Sequence, residues 1–218
     1  MYIVDRSLQF VRGALLSYGP RSLRQRVWDA EYRSEKWKFA YNTMGDCVYK
    51  HLEKFARKGS ILDLGCGSGN TSTEMADSCY QRYVGVDIAE AALEKARRRS
   101  AEAGRQNKNT FACSDFLAYQ PQGKFDVILF RESMYHIPMN KIKTVLDYYA
   151  PYLKDDGVFI VRLFTGNRQT GEEKHRPTAM MGLIENECDV IENARYNTAG
   201  SPQVIVFRPK NMPVAASH

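Results

Sequence analysis

A chain of 218 residues, 44% hydrophobic and 26% charged, is long enough to bury one well-packed core and short enough for one domain to be the default. It has no run of eighteen apolar residues, and Asp5, Arg6, Arg12 and Pro20 interrupt its start, which excludes a membrane span and a secretory signal and predicts a cytoplasmic protein. The 31 Lys and Arg exceed the 25 Asp and Glu by six, an excess compatible with an anionic substrate or a nucleic acid and requiring neither. Five cysteines, at 47, 66, 79, 113 and 188, form no C-x-x-C pair and read as reduced thiols, at least three of them in apolar surroundings.

In chain order, residues 1–41 mix basic and aromatic side chains after a break at Gly19-Pro20. They read either as an amphipathic helix capping a sheet edge or as a lid whose Trp28, Tyr32 and Trp37 close over a pocket. Contact of Arg21, Arg24 and Arg26 with anionic lipid is a third reading, although such sites use larger clusters of cations. Met44, Val48, Leu52 and Phe55 mark one face of a helix over 42–58, ended by Gly59. The apolar run from Ile61 to Leu64 predicts a buried strand that stops in Gly65, Gly67 and Gly69, with Asp63 just ahead of the loop. Glycines at that spacing let bare backbone N–H groups approach a ligand. A helix over 70–76 would turn the positive end of its dipole towards the same place, favouring a carboxylate.

Tyr83–Ile88 is the second predicted strand, and Asp87 at its tip lies twenty residues beyond Gly67, the length of one βαβ turn. A carboxylate there can accept from both hydroxyls of a ribose, or it can cap the helix predicted over 89–103 and closed by Gly104. On that helix Lys95 to Arg99 reads as a solvated face, with Glu94 and Arg98 paired. Thr110–Phe116 is a third strand ending at Asp115, and Phe125–Phe130 a fourth, apolar enough to be central in a parallel sheet. The fourth runs into Arg131-Glu-Ser-Met-Tyr-His-Ile-Pro138, beyond the carboxyl end of the sheet where ligands of open α/β folds lie. A helix with Ile142, Val145, Leu146 and Tyr149 on one face, and a fifth strand over 158–164, continue the alternation. Residues 165–177 predict a long polar loop, 180–187 a short helix, and 189–197 with 203–208 a hairpin, before a tail over 211–218.

A dinucleotide turn of the form G-x-G-x-x-G would need glycine at position 70, where this chain has Asn70. The spacing found, with acids at 63, 87 and 115 and a closing hairpin, resembles class I S-adenosylmethionine-dependent methyltransferases over residues 42–210. That resemblance implies a Rossmann-like, doubly wound α/β fold with seven strands in the order 3-2-1-4-5-7-6, the last antiparallel, behind a helical cap over 1–41. It implies S-adenosylmethionine across the first two strand ends, with S-adenosylhomocysteine as product. Asp63, Gly65, Cys66 and Gly67 would meet the methionine moiety, Asp87 and Ile88 the ribose and adenine, Asp115 and Phe116 the adenine, and Arg131 the sulfonium region through its backbone. The segment after the fourth strand is similar to small-molecule and sugar methyltransferases and lacks the Asn-Pro-Pro-Tyr sequence that grips a base amino group.

The implied acceptor is a small hydroxyl- or amine-bearing molecule, a sugar or a secondary metabolite. Trp28, Tyr32, Trp37 and His175 are the candidates to touch it. A sulfonium is already strongly electrophilic, so the protein has mainly to hold the nucleophile in line with the methyl group. Where a base is needed, His136 leads, with Glu132 and Tyr135 behind it, and His136 packed against the next helix is the competing reading. No ligand spacing for a metal occurs. An RNA-modifying protein and a catalytically silent cofactor-binding subunit are the alternatives. The modest charge and the lack of a recognisable RNA module speak against the former, and nothing in the sequence fixes the oligomeric state.

Overall fold

Apolar runs that stop at a glycine or an acid become the strands of one sheet in a computed structural model, which describes residues 12, 13, 15, 16, 18–34, 43–165, 176–198 and 201–210. The strands are β1 (Ser60–Leu64), β2 (Arg82–Asp87), β3 (Asn109–Cys113), β4 (Phe125–Arg131), β5 (Leu153–Phe164), β6 (Cys188–Arg195) and β7 (Pro202–Pro209). They lie in the order 3-2-1-4-5-7-6, parallel from β3 to β5, with β7 antiparallel to both its neighbours. Strand order therefore reverses between β1 and β4, which places the switch point at the carboxyl ends of those two strands.

The helices are α1 (Arg21–Arg33), α2 (Val48–Ala56), α3 (Asn70–Glu74), α4 (Glu90–Glu102), α5 (Ile142–Tyr149) and α6 (Arg176–Glu187). Successive strand residues face opposite sides of the sheet, and the sequence supplies apolar residues to both. Leu62, Leu64, Ile128, Phe130, Phe159 and Val161 pack with Ile142 and Leu146 of α5 and Met180 and Ile184 of α6. On the other face Ile61, Val127, Leu129, Val158 and Ile160 pack with Val48, Leu52 and Phe55 of α2.

The structure departs from the sequence reading in local detail. Met44 is 82% exposed and precedes α2, so the apolar spacing overran the helix by one turn. Both Arg57 and Lys58 take left-handed backbone angles (φ 49° and 61°), ending α2 before Gly59 is reached. Arg98 lies 3.8 Å from Glu102 rather than against Glu94, and Arg97 pairs with Glu90 at 2.6 Å. All five cysteines are free; Cys66 and Cys188 are buried and the other three half-buried, and Cys47, Cys79 and Cys188 lie against the apolar clusters, as expected of at least three. Arg176 and Pro177, expected in the loop, open α6. Trp37, His175 and the tail over 211–218 lie outside the described residues. Among the described residues no helix is long and apolar enough to cross a membrane.

Candidate functional site at the carboxyl ends of the strands

The loop after β1 is shaped by what presses on it. Gly65 has φ 84°, and a Cβ there would stand 2.4 Å from the Cβ of Ser133, whose hydroxyl donates to the Leu64 carbonyl at 2.5 Å. Gly67 has φ 53°, and a Cβ there would meet the Tyr32 hydroxyl at 2.7 Å. At Gly65 both backbone angle and space require glycine, and at Gly67 the backbone angle does. Gly65→Ala should destabilise the fold by about 1–3 kcal/mol, from the left-handed angle and the clash together, read as a lowered thermal midpoint. An unchanged midpoint would show that the contact with Ser133 is relaxed in solution.

Two buried acids flank this loop. Asp63, 1% exposed, accepts the Tyr83 hydroxyl at 2.6 Å on one oxygen, and its other oxygen has no hydrogen-bond partner among the described residues. Burial pushes its carboxyl above the ordinary range. Asp87 accepts the Gly67 N–H at 2.8 Å on one oxygen and the Ala89 N–H at 2.9 Å on the other. It thereby ties the glycine loop to the tip of β2, while α4 begins with Ala89 in the cap position. Burial lifts the Asp87 carboxyl to about 6, against those two backbone bonds that lower it. Cys66 is buried behind the loop, and its thiol is held well above the ordinary value, first by burial.

Helix α1 lies across these strand ends. Asp29 accepts the Ala91 N–H at 2.9 Å and Lys95 donates to the Tyr32 carbonyl at 2.7 Å, which pin α1 to α4. Arg24 makes an ion pair with Asp115, whose second oxygen accepts the Leu117 N–H at 3.0 Å. The Trp28 ring meets the His136 ring edge-on at 5.0 Å. The sequence allowed a cap or a lid, and α1 makes contacts consistent with both: it packs on α4 and puts Arg24, Trp28 and Tyr32 over the cleft.

Beyond β4 the cleft is lined by charge. Arg131 and Arg162 are register partners on β4 and β5, an arrangement that would repel by itself. Asp46 lies between them, 2.9 Å from Arg131 and 3.1 Å from Arg162. Burial works to raise the Asp46 carboxyl, but the two guanidiniums bring it below its usual value. Arg162 also holds Glu132 at 2.5 Å and stands 3.9 Å over the Phe164 ring. Glu132 has φ 56°, and burial raises its carboxyl although Arg162 opposes this. The Tyr135 hydroxyl donates to the Phe164 carbonyl at 3.0 Å. His136 is held down to about 4, first by burial and then by the charges of Arg12, Arg176 and Arg24, so it is neutral near pH 7.

Residues 61–157, from β1 into β5, match the family model of a methyltransferase domain. Over these residues the chain carries a methyltransferase domain. The ubiquinone biosynthesis O-methyltransferase of Idiomarina loihiensis is 37% identical over 97 residues, 44% of this chain and 39% of that protein. A probable chloroplastic tocopherol O-methyltransferase of Oryza sativa subsp. japonica is 28% identical over 131 residues, 60% of this chain and 36% of that protein. The chain thus spans under two fifths of the length of these curated relatives. The N-methyltransferase NodS of Bradyrhizobium japonicum, solved with S-adenosylhomocysteine, superposes with a TM-score of 0.66 at 16% identity, covering 86% of this chain and 98% of that one.

Within the methyltransferase domain the structure gathers Asp63, Gly65, Cys66, Gly67, Asp87, Ile88, Asp115 and Phe116 at the ends of β1 to β3, with Arg131, Glu132, Tyr135 and His136 next to them after β4. The Arg131 backbone ends β4, whereas its guanidinium turns to Asp46 and lies 5.4 Å over the Tyr49 ring. Three residues went unnoticed in the sequence, Asp46, Arg162 and Arg176, and Arg24 was read there only as a lipid contact. Arg162 left a signal, because a cation inside the apolar run from Val158 to Phe164 must find a buried anion. Asp46 left none.

Proposed function

We propose that this chain is an S-adenosylmethionine-dependent methyltransferase acting on a hydroxyl or amino group of a small molecule. The observation that carries the reading is Asp87: a buried carboxylate at the tip of β2, joined through the Gly67 N–H to the glycine loop of β1. Each of its oxygens accepts one backbone N–H and keeps a lone pair for a ribose hydroxyl. The unpartnered buried oxygen of Asp63 and the glycine cradle also fit a ligand that brings its own donors, such as an α-ammonium group. NodS, of similar fold, was solved with S-adenosylhomocysteine, and the two curated relatives are named for O-methylation of small molecules.

When bound, S-adenosylmethionine supplies a sulfonium methyl that is electrophilic without further activation. In this reading Asp87 and Ile88 hold the ribose side, Asp115 and Phe116 the adenine, and Asp63 with Gly65, Cys66 and Gly67 the methionine end. Trp28 and Tyr32 on α1 exclude water and face the acceptor. Of the three base candidates, Tyr135 is occupied with a backbone carbonyl and has a raised pKa, which makes it a poor proton acceptor. His136 is neutral and can take a proton, but its low pKa makes it a weak base. Glu132 has its carboxyl raised by burial despite the opposing charge of Arg162, which suits it better than the other two to receive a hydroxyl or ammonium proton.

A pH dependence follows from Asp87. Its carboxyl lies near 6 in the fold against an ordinary 3.8, so the folded chain binds the proton more tightly. This group's contribution to stability is therefore greatest below pH 4 and is lost as pH rises through 6. Ribose binding needs the ionised form, so affinity for S-adenosylhomocysteine should instead rise with pH through about 6, falling up to about tenfold per unit below it. Titration calorimetry at pH 5 and pH 7.5 would read it, and an affinity unchanged between them would remove Asp87 from the ribose. The reading as a whole is tested with methyl-labelled S-adenosylmethionine and a fractionated extract of the source cell. A labelled small molecule identified by mass supports it; label only in RNA, or in nothing, overturns it.

A further inference from the structure

The cleft wall beside His136 carries more positive charge than methyl transfer requires. Three guanidiniums act on that ring, those of Arg12, Arg176 and Arg24. Arg12 is matched by Glu31 at 2.7 Å and Arg24 by Asp115. Arg176, at the start of α6, instead donates to the Ile137 carbonyl at 2.7 Å and has no acidic partner among the described residues. The Nε–H groups of Arg24 and Arg176 are both buried without an acceptor among the described residues. A buried donor on a charged group with nothing to donate to is costly unless a ligand completes it. The same wall carries two aromatic rings, Trp28 meeting the neutral His136 edge-on at 5.0 Å, with the Arg12 guanidinium 5.6 Å over Trp28.

From these juxtaposed groups we propose that the acceptor carries an oxyanion, which docks on Arg176 and the free Nε–H of Arg24 while its planar part lies against Trp28 and His136. The planar fork of a guanidinium recognises a carboxylate or a phosphate through paired N–H bonds, and an unmatched Arg176 leaves net positive charge for it. Among the described residues Glu31 and Asp115, the acids paired on this wall, are already engaged by Arg12 and Arg24, so Arg176 carries the discrimination. The inference rests on the methyltransferase reading, because it describes the acceptor side of that site.

The test uses the full chain saturated with S-adenosylhomocysteine and titrated with 4-hydroxybenzoate, phenyl phosphate and the neutral 4-hydroxybenzyl alcohol. The expected result is binding of at least one anion about tenfold or more tighter than the alcohol, with the tighter anion identifying carboxylate or phosphate as the group read. Arg176→Gln should weaken that anion about tenfold and Arg176→Lys should restore part of the loss, with affinity for S-adenosylhomocysteine unchanged in both. Alcohol binding as tight as the tighter of the two anions, or affinity for that anion indifferent to Arg176→Gln, overturns the proposal. So does a wild-type chain that binds S-adenosylhomocysteine and neither anion. Failure to bind S-adenosylhomocysteine at all instead removes the methyltransferase reading beneath it.

Discussion

Asp87→Ala is expected to weaken binding of S-adenosylhomocysteine by about a hundredfold or more, since hydrogen bonds to a charged group contribute roughly 1.5–3 kcal/mol each and two ribose hydroxyls lose theirs. The same change also releases the Gly67 and Ala89 N–H groups from their acceptor, which loosens the glycine loop. Asp87→Asn separates the two effects. The amide oxygen still accepts one backbone N–H, but the amide nitrogen, itself a donor, faces the other N–H that a carboxylate oxygen had accepted. It should therefore recover little of the loss. Calorimetry measures the affinities, and a cooperative thermal transition confirms that each variant is folded. A folded Asp87→Ala chain with wild-type affinity would take the ribose away from β2 altogether.

The second large effect concerns stability. Arg162→Leu removes the cation that neutralises Glu132 and shares Asp46 with Arg131, leaving two carboxylates under-compensated at the end of the sheet. Breaking a buried pair from one side costs about 3–5 kcal/mol. Arg162 is 5% exposed, whereas the Glu132 side chain is 31% exposed, so the lower end of that range is expected. Denaturant unfolding at pH 7 measures it. Adding Glu132→Gln to Arg162→Leu should return part of the loss, because one stranded charge disappears. A single variant within experimental error of the wild type would mean that water already solvates this cluster.

The sheet was legible because each of its strands is a local signal. Val127 to Phe130 and Val158 to Val161 are apolar on both faces, as a central parallel strand must be, and each β1 to β3 run stops at a glycine or an acid. The order of the strands and the cluster of acids at their tips came from resemblance. What stayed hidden depends on side chains meeting across long separations: Arg24 with Asp115, Asp46 with Arg131 and Asp46 with Arg162, 91, 85 and 116 residues apart. No periodicity links such positions. The ends of α2 were misplaced for a different reason. Met44 continues the helical spacing but stands outside the helix, since Asp46 accepts the Val48 N–H at 3.0 Å and the helix starts there.

The placement of α1 affects the chemistry more than its sequence suggested. Asp115 was expected to receive an adenine amino group, and both its oxygens already have donors, one of them on α1. Helix α1 thus joins the proposed cofactor side at Asp115 to the proposed acceptor side at His136 through Arg24 and Trp28, four residues apart on one helical face. Cofactor and acceptor sites that share one helix can report on each other, and this is why the tests of the acceptor are made with S-adenosylhomocysteine present.

Calorimetric titration of the folded chain with S-adenosylhomocysteine tests the central claim most directly. One molecule should bind per chain at neutral pH and raise the thermal midpoint, as any ligand specific to the native state must. A folded chain that gives neither binding heat nor a thermal shift would contradict it.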